Sequence, residues 1–346
     1  MRGSAAVLRR SLAMAGGGDK LSILVLGREG ERSLGPLKAL PSGAEVIAVG
    51  GSADEFDSKV LSRARCVFCT VSGNPATTLP AIYPKLSSLQ WVHSQLAGVD
   101  KLVFPEFVQD DKVLLTNAKG VYNRPLVEWT IFAMMFFAKD LPRLRRNQFD
   151  RKWDQYSVEE IHNKVLGIVG YGDIGRDCAR KAKEAFGLKV IALRRRPKLS
   201  GDDNVADEVY GQDQLHEMLG RCDYVLCTAP LTPNTKHMFN RDAFKAMKKT
   251  AVYINIGRGP VCQEKALVAA LQEGHIRGAA LDVFEEEPLR PDSELWGFEN
   301  LLFSPHNADL TETCRIEATE HFVQLVKAKL EGKSIDDCAC DKSAGY

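Results

Sequence analysis

Short apolar segments alternate with longer amphipathic ones along nearly the whole chain, and this alternation constrains the fold more than any other feature. Strands are predicted in two series, at 21–27, 45–50, 66–71, 89–95 and 113–118, and at 165–170, 188–193, 224–229, 251–256, 278–283 and 300–305. Apolar runs of this length between helix-length stretches are typical of parallel sheets covered by helices. The chain is therefore predicted to be an α/β protein with two doubly wound parallel-sheet domains.

The second series of strands has the size of one complete domain, and it interrupts the first domain. We assign 125–310 to the second domain and 19–124 plus 311–346 to the first, with a cleft between them. A final helix over 311–330 is expected to return to the first domain. The segment 126–146 is predicted as one long helix crossing between the domains, apolar at its start and basic at its end. Further helices are predicted at 52–64, 174–186, 212–219, 241–247 and 263–273.

The charge balance argues against two classes of partner. The 346 residues include 46 Lys and Arg and 45 Asp and Glu, which gives a formal net charge of +1. A dedicated binder of nucleic acid or of a membrane surface normally has a basic excess, so neither partner is expected. The apolar stretch 129–138 has ten residues, whereas a helix needs about 20 to cross a bilayer.

The first eighteen residues form a separate segment. Residues 1–18 contain three arginines, two serines and no acidic residue, and they end in Gly16-Gly17-Gly18. This composition is typical of an organelle transit peptide, but the glycine run equally resembles a linker. The expected location is therefore cytoplasmic, or mitochondrial or plastid if the segment is a transit peptide.

The nine cysteines are predicted to be reduced. Their number is odd, and Cys66 and Cys69, which have the CxxC spacing, lie within a predicted strand. No second Cys or His pair follows at metal-ligand spacing, so we expect buried, inert thiols and no metal site.

A glycine fingerprint opens the second domain. Gly170-Tyr-Gly172-Asp-Ile-Gly175 follows a predicted strand directly and begins a helix, which is the context that dinucleotide-binding turns require. Gly170 would permit the tight turn, Gly172 would let the backbone approach a pyrophosphate, and Gly175 would allow close packing of helix on strand. Asp173 and Ile174 would present backbone N–H groups to the phosphates at the helix N-terminus.

The next strand ends in Arg194, Arg195 and Arg196. An NAD site has an acidic residue at this point, which binds the ribose 2′-OH, whereas guanidinium groups suit the 2′-phosphate of NADP. The sequence therefore predicts NADP(H) as cofactor, with NAD(H) possible but weaker; the alternative is a solvated basic turn. After the following strand, Pro230 and Thr235 are predicted to line the cofactor cleft.

Three further motifs follow three successive strands. They are Asn255-Ile-Gly-Arg258-Gly-Pro-Val261, Asp282-Val-Phe-Glu-Glu-Glu287-Pro288 and Ser304-Pro-His306-Asn-Ala-Asp309. Ligands of doubly wound sheets bind at the carboxyl ends of the strands, where these motifs supply a fixed cation, a carboxylate and an imidazole. A histidine or a glutamate alone is more often structural, but this joint placement beside a dinucleotide site favours catalytic roles.

Together with the glycine fingerprint, these motifs make the chain from Lys20 to its tail resemble the D-isomer-specific 2-hydroxyacid dehydrogenase family, and most of all its glyoxylate/hydroxypyruvate reductase branch. The resemblance implies a Rossmann cofactor domain inserted in a flavodoxin-like substrate-binding domain. It implies catalytic Arg258, Glu287 and His306, with Ile256 and Asp282 near the nicotinamide. It also implies that the loop formed by Ala97, Gly98 and Val99 holds the substrate carboxylate, with Arg258 and His306 as the other substrate-binding residues.

The residue types fit the reduction of a 2-oxo acid. Arg258 would bind the carboxylate and polarise the carbonyl, and His306 would donate a proton to the carbonyl oxygen. Glu287 would favour the imidazolium form of His306. Two departures from the usual family pattern leave substrate preference open: Cys262 replaces an Asp, and Asn307-Ala308-Asp309 replaces Ile-Gly-Gly.

The leading hypothesis is an NADPH-dependent reductase of small 2-oxo acids such as glyoxylate or hydroxypyruvate. The alternatives are an NAD-linked D-2-hydroxyacid dehydrogenase and a dinucleotide-sensing, corepressor-like binding protein. A homodimer is also predicted, because the apolar segment from 126 continues into a basic arm with Phe149 and Trp153 still to be buried. Residues 139–153 would pack on the partner.

Overall fold

The computed structural model describes residues 20–196 and 204–345. The described chain divides into two units, one running up to Val121 and resuming at Glu312, the other comprising Tyr122–Thr311. The predicted leader, 1–18, lies outside the described residues. No helix in the described parts of the chain is long and apolar enough to cross a membrane.

The first unit is built on a parallel sheet. Its strands are β1 (Leu21–Leu26), β2 (Ala44–Gly50), β3 (Cys66–Cys69), β4 (Trp91–Ser94) and β5 (Leu114–Asn117), and its helices are α1 (Ser58–Arg63), α2 (Pro75–Ile82), α3 (Pro105–Gln109) and α10 (Glu312–Leu330). The sheet order is β2-β1-β3-β4-β5, as in flavodoxin-like folds. All five strands occur where the sequence predicted them, and α10 belongs to this unit, as expected. The predicted helix over 52–64 is shorter, with a 3-10 turn at Ala53–Glu55 before α1.

The burial of strand β1 explains why its apolar run predicted a strand so clearly. All six of its residues are buried, and the five apolar ones belong to two clusters on opposite faces of the sheet, because successive side chains of a strand point to opposite faces. Leu21, Ile23 and Val25 pack with Phe322 and Val326 of α10. Leu24 and Leu26 pack on the other face with Leu61 of α1 and Leu79 of α2. Cys66 and Cys69 are likewise buried as free thiols in β3, as predicted.

The tail after α10 runs along the edge of the first sheet. Ala339 forms an antiparallel bridge with Thr116 of β5, and the N–H of Cys340 donates to the carbonyl of Leu115 at 2.9 Å. Nζ of Lys342 donates to the carbonyls of Phe107 at 2.9 Å and Val113 at 3.1 Å. The tail therefore covers the edge strand β5.

The second unit contains a larger parallel sheet. Its strands are β6 (Val165–Val169), β7 (Lys189–Leu193), β8 (Glu208–Tyr210), β9 (Tyr224–Cys227), β10 (Val252–Asn255), β11 (Gly278–Leu281) and β12 (Leu301–Phe303). The helices are α4 (Asn123–Ala138), α5 (Leu141–Phe149), α6 (Asp173–Phe186), α7 (Leu215–Leu219), α8 (Arg241–Ala246) and α9 (Glu264–Gln272). The order β12-β11-β10-β9-β6-β7-β8 reverses direction between β6 and β9, which is where such sheets bind ligands.

Two predictions about this unit were wrong. The helix predicted over 126–146 is two helices, α4 and α5, separated at Asp140, which has φ +50°. Pro142 is the cause, since proline cannot donate to the carbonyl four residues back and clashes with it. The sheet also has a seventh strand, β8, which sequence reasoning missed because this short edge strand contains a charged, exposed residue, Glu208.

Candidate active site

The three glycines of the fingerprint have three different environments. Gly170 has φ +99°, and a Cβ added to it would lie 2.5 Å from the backbone nitrogen of Ala229, in the loop after β9. A Cβ on Gly175 would lie 2.6 Å from the carbonyl oxygen of Gly170. A Cβ on Gly172 would meet no described atom within 4 Å. The turn is therefore tight at its first and third glycines and open at its second, which is the shape that an approaching pyrophosphate requires.

Helix α6 begins inside this turn. Its N-cap residue is Gly172, which has no side chain that could cap the first N–H groups, and the N–H of Arg176 closes the first helical hydrogen bond on Gly172, at 2.9 Å. The carboxylate of Asp173 instead accepts a hydrogen bond from Nδ2 of Asn123 at 3.0 Å. Ile174 is half-buried. A helix N-terminus that begins at a glycine suits a phosphate group.

The arginine run lies directly after β7. Arg194 is half-buried, its N–H donates to the carbonyl of Tyr210 at 3.1 Å, and Arg195 and Arg196 are exposed. Three cations therefore stand at the carboxyl end of the strand next to the glycine turn, where an NAD site would have a carboxylate.

The loop after β9 is held in shape by its own threonine. Oγ1 of buried Thr235 donates to the carbonyl of Pro230 at 2.6 Å and accepts from the N–H of Thr232 at 2.8 Å. Ile256, after β10, is also buried, and its N–H donates to the carbonyl of Cys227. The hydroxyl of Thr235 thus has a structural role, and the predicted cofactor contacts of these residues remain predictions.

His306 and Glu287 form a hydrogen-bonded pair. Nδ1 of His306 lies 2.9 Å from Oε2 of Glu287, and the two side chains are 39% and 28% exposed. The hydrogen bond with Glu287 raises the pKa of His306 above its ordinary value, against the opposing effects of burial and of Arg258. Within the described residues, Nε2 makes no hydrogen bond. The imidazolium can therefore be held by one nitrogen while the other gives up a proton.

Asp282 fixes the loop that carries His306. This carboxyl group is 2% exposed. Its Oδ1 accepts from Oγ of Ser304 at 2.7 Å and from the N–H groups of Asn307 at 2.9 Å and Ala308 at 3.1 Å. Its carbonyl accepts from the N–H of His306 at 2.8 Å, and His306 adopts φ +51°. Asp282 therefore positions His306, and its predicted place near the nicotinamide stays a prediction.

Arg258 stands on a loop packed tightly against the one that carries Glu287. Nη1 of Arg258 donates to the carbonyl of Gly257 at 2.8 Å. A Cβ added to Gly259 would lie 1.7 Å from the carbonyl oxygen of Phe284, so only glycine fits there. The structure thus brings Arg258, Glu287 and His306 to neighbouring strand ends of one sheet.

Sequence reasoning missed two groups of this site. Ser304 supports Asp282, and Asp309 is a half-buried carboxyl whose pKa is raised by burial and by Asp282. Ser304 stands two residues before His306 in the motif, but its hydrogen-bond partner Asp282 lies 22 residues earlier in the chain. The motif alone therefore could not predict this contact. Among the described residues, no group of three or more His, Cys, Asp or Glu side chains could hold a metal ion.

The predicted carboxylate-binding loop belongs to the first unit, after β4. Val99 is buried, Ala97 and Gly98 are half-buried, and Nδ2 of Asn117 donates to the carbonyl of Ala97 at 2.5 Å. This hydrogen bond fixes the loop conformation. Contact between the loop and the substrate stays a prediction.

Comparison with known proteins identifies the family. Residues 131–308 match the family model described as "D-isomer specific 2-hydroxyacid dehydrogenase, NAD binding domain". A D-3-phosphoglycerate dehydrogenase of Methanocaldococcus jannaschii is 32% identical over 86% of this chain, which spans 56% of that protein. Glyoxylate/hydroxypyruvate reductase B of Salmonella typhi is 31% identical, over 79% of this chain and 85% of that one.

Solved structures of the same family have a similar fold. A D-isomer specific 2-hydroxyacid dehydrogenase from Xanthobacter autotrophicus, in complex with NADPH and MES, has a TM-score of 0.79 and 25% identity, covering 94% of this chain and 100% of that one. An NADPH-dependent glyoxylate/hydroxypyruvate reductase from Sinorhizobium meliloti, in complex with NADP and sulfate, has a TM-score of 0.76 and 26% identity with the same coverage.

The chain belongs to the D-isomer-specific 2-hydroxyacid dehydrogenase family, as its motifs predicted. Residues 131–308 correspond to the NAD-binding domain of that family, and the cofactor is NAD(P)(H). The chain is thus an NAD(P)-dependent oxidoreductase, and its named relatives include glyoxylate/hydroxypyruvate reductases.

Proposed function

We propose that this protein reduces small 2-oxo acids of the glyoxylate or hydroxypyruvate type to D-2-hydroxy acids, with NADPH as the preferred cofactor. The observation that carries the proposal is the pair formed by His306 and Glu287 at 2.9 Å, in the same sheet domain as Arg258 and a glycine turn shaped for a dinucleotide. The names of the relatives support the substrate class.

Different residues of the second unit would bind different parts of the dinucleotide. The turn from Gly170 to Gly175 and the N-terminus of α6 would hold the pyrophosphate, because their N–H groups and helix dipole favour an anion. Arg194 and Arg195 would bind the 2′-phosphate through charge-assisted hydrogen bonds. The bound nicotinamide supplies the hydride for the carbonyl carbon.

His306 would supply the proton. Glu287 holds Nδ1, so Nε2 of the imidazolium is the atom that donates to the carbonyl oxygen, and His306 becomes neutral as the alcohol forms. The guanidinium of Arg258 would pair with the substrate carboxylate and polarise the carbonyl. In the oxidising direction the same histidine would accept the proton.

Turnover of a panel of 2-oxo acids with NADPH and with NADH tests the proposal. We expect reduction of glyoxylate and hydroxypyruvate, a D product from hydroxypyruvate, and a higher kcat/KM with NADPH. A preference for NADH would favour the NAD-linked dehydrogenase. Binding of the dinucleotide without turnover of any 2-oxo acid would favour the corepressor-like binding protein.

A further inference from the structure

A second imidazole–carboxylate pair lies close in sequence to the catalytic one. Nε2 of His237 is 2.6 Å from Oε1 of Glu285, and both side chains are about one-third exposed. Glu285 stands two residues before Glu287 in the run Glu285-Glu286-Glu287. Neither His237 nor Glu285 has a part in the proposed function.

Glu285 is held by two different elements. Its Oε1 pairs with His237, in the loop after β9, and its Oε2 accepts from the N–H of Glu264 at 3.0 Å. Glu264 is the first residue of α9. His237 is itself fixed, because its N–H donates to the carbonyl of Pro260 at 2.8 Å. The carboxylate of Glu285 thus joins the segments that follow β9, β10 and β11.

The backbone between Glu285 and the catalytic pair is also constrained. The N–H of Phe284 donates to Oε1 of Glu287 at 3.1 Å, and the carbonyl of Phe284 packs against Gly259. The other carboxylate oxygen of Glu287 meets His306. A shift of Glu285 would therefore be transmitted over two residues to the group that holds the imidazolium.

We propose that His237 and Glu285 are positioning residues for His306: by tying the segment 284–287 to the loop after β9, they keep Glu287 within hydrogen-bonding distance of the imidazole. This inference rests on the proposed function only in making His306 the proton donor. Asp282, Asp309 and Arg258 also act on His306 electrostatically, and every variant below retains all three.

The matched control comes from the same run of carboxylates. Glu286 carries the same charge between Glu285 and Glu287 and is exposed. Glu286→Ala therefore removes one negative charge near the site without breaking the His237–Glu285 pair. His237→Gln is the conservative variant, because the amide nitrogen of glutamine can replace Nε2 as donor to Glu285.

The experiment measures the protonation of His306 directly. The full chain is labelled with 13C-histidine, the signal of His306 is assigned with His306→Gln, and its titration is followed by NMR in the wild type and the variants. We expect His237→Ala and Glu285→Ala each to lower the midpoint by about one pH unit. The double variant should show no further shift, and the midpoint in His237→Gln should lie close to that of the wild type.

The alkaline limb of kcat for 2-oxo acid reduction should move in parallel, with about a tenfold loss of kcat at pH values above the limb. An unchanged His306 midpoint in folded His237→Ala and Glu285→Ala would overturn the inference, and so would a shift in Glu286→Ala as large as that in Glu285→Ala. Failure of the proposed function has a different signature, namely no turnover by the wild type while the NMR shifts appear as expected.

Discussion

At the scale of residues, we predict that the arginines at the end of β7 determine the choice between NADPH and NADH. We expect Arg194→Asp to weaken NADPH binding at least tenfold, since a hydrogen bond between charged groups contributes about 1.5–3 kcal/mol. Titration of the protein with NADPH and NADH measures the effect, with Arg241→Asp, on the exposed surface of α8, as the control. Equal kcat/KM of the wild type with the two cofactors would contradict the assignment of the arginine run to the 2′-phosphate.

The proposed role of His306 as proton donor predicts a pH dependence with a definite sign. In the proposed mechanism reduction needs the imidazolium of His306, so kcat should fall as pH rises through its pKa, which Glu287 raises above the usual 6.5. Glu287→Gln removes the charge that favours the imidazolium, and the alkaline limb should move to lower pH. His306→Ala should lower kcat by about 10² to 10⁴.

The measurement is kcat against pH with saturating NADPH, together with the Kd for NADPH. Glu286→Gln is the charge-matched control and should leave the limb in place. If the limb of Glu287→Gln coincided with that of the wild type, Glu287 would have no part in proton transfer.

At the scale of elements, buried His93 in strand β4 is expected to make the first unit less stable in acid. His93 is completely buried there, with Nδ1 2.7 Å from Oγ1 of Thr116, and burial lowers its pKa well below the ordinary value of 6.5. The unfolded chain therefore binds a proton below pH 6.5 that the folded chain does not. Stability should fall with decreasing pH below that value, by up to about 1.4 kcal/mol per pH unit.

Thermal unfolding at pH 5, 6 and 7 tests this expectation. His93→Gln should lower the Tm at every pH but make its decline with acid shallower. His216→Gln changes an exposed histidine and should leave the decline unchanged. A decline in His93→Gln as steep as in the wild type would show that other groups cause it.

Elements differed in how far the sequence could predict them. Strands such as β1, buried on both faces, leave a nearly continuous apolar run of strand length. The edge strand β8 leaves no such run, and the break at Asp140 depended on Pro142, a signal that was present but outweighed by the apolar pattern of the segment.

The motifs located Arg258, Glu287 and His306 because each lies at a strand end. The hydrogen bonds of Asp282 and of His237 could not be predicted, because they join residues far apart in the chain.

At the scale of the whole molecule, the second unit presents a basic arm, residues 139–153, that carries two exposed aromatic side chains. Phe149 is 77% exposed and Trp153 91% exposed, although aromatic side chains of this size normally find a buried place. We propose a two-fold homodimer in which residues 139–153 pack on the partner, the commonest form of assembly. Sedimentation at micromolar concentration should give a species of twice the 38.2-kDa chain mass.

Trp153→Glu should convert this species to the monomer, because a buried charge opposes association. Trp296→Glu alters another exposed tryptophan outside the arm and should leave the mass unchanged. A wild-type species of single-chain mass would contradict the proposed dimer.

The tail that lies along β5 should determine whether the protein aggregates after proteolysis. The edge of a sheet offers unpaired N–H and C=O groups to any other strand, and here Ala339 and Cys340 occupy part of that edge. A protease that removed the residues after Gly332 would leave the sites described above intact in sequence. It would also uncover β5 as a template on which copies of the chain could join. Loss of a few residues distant in sequence from the catalytic motifs should thus appear as turbidity on warming before it appears as lost turnover.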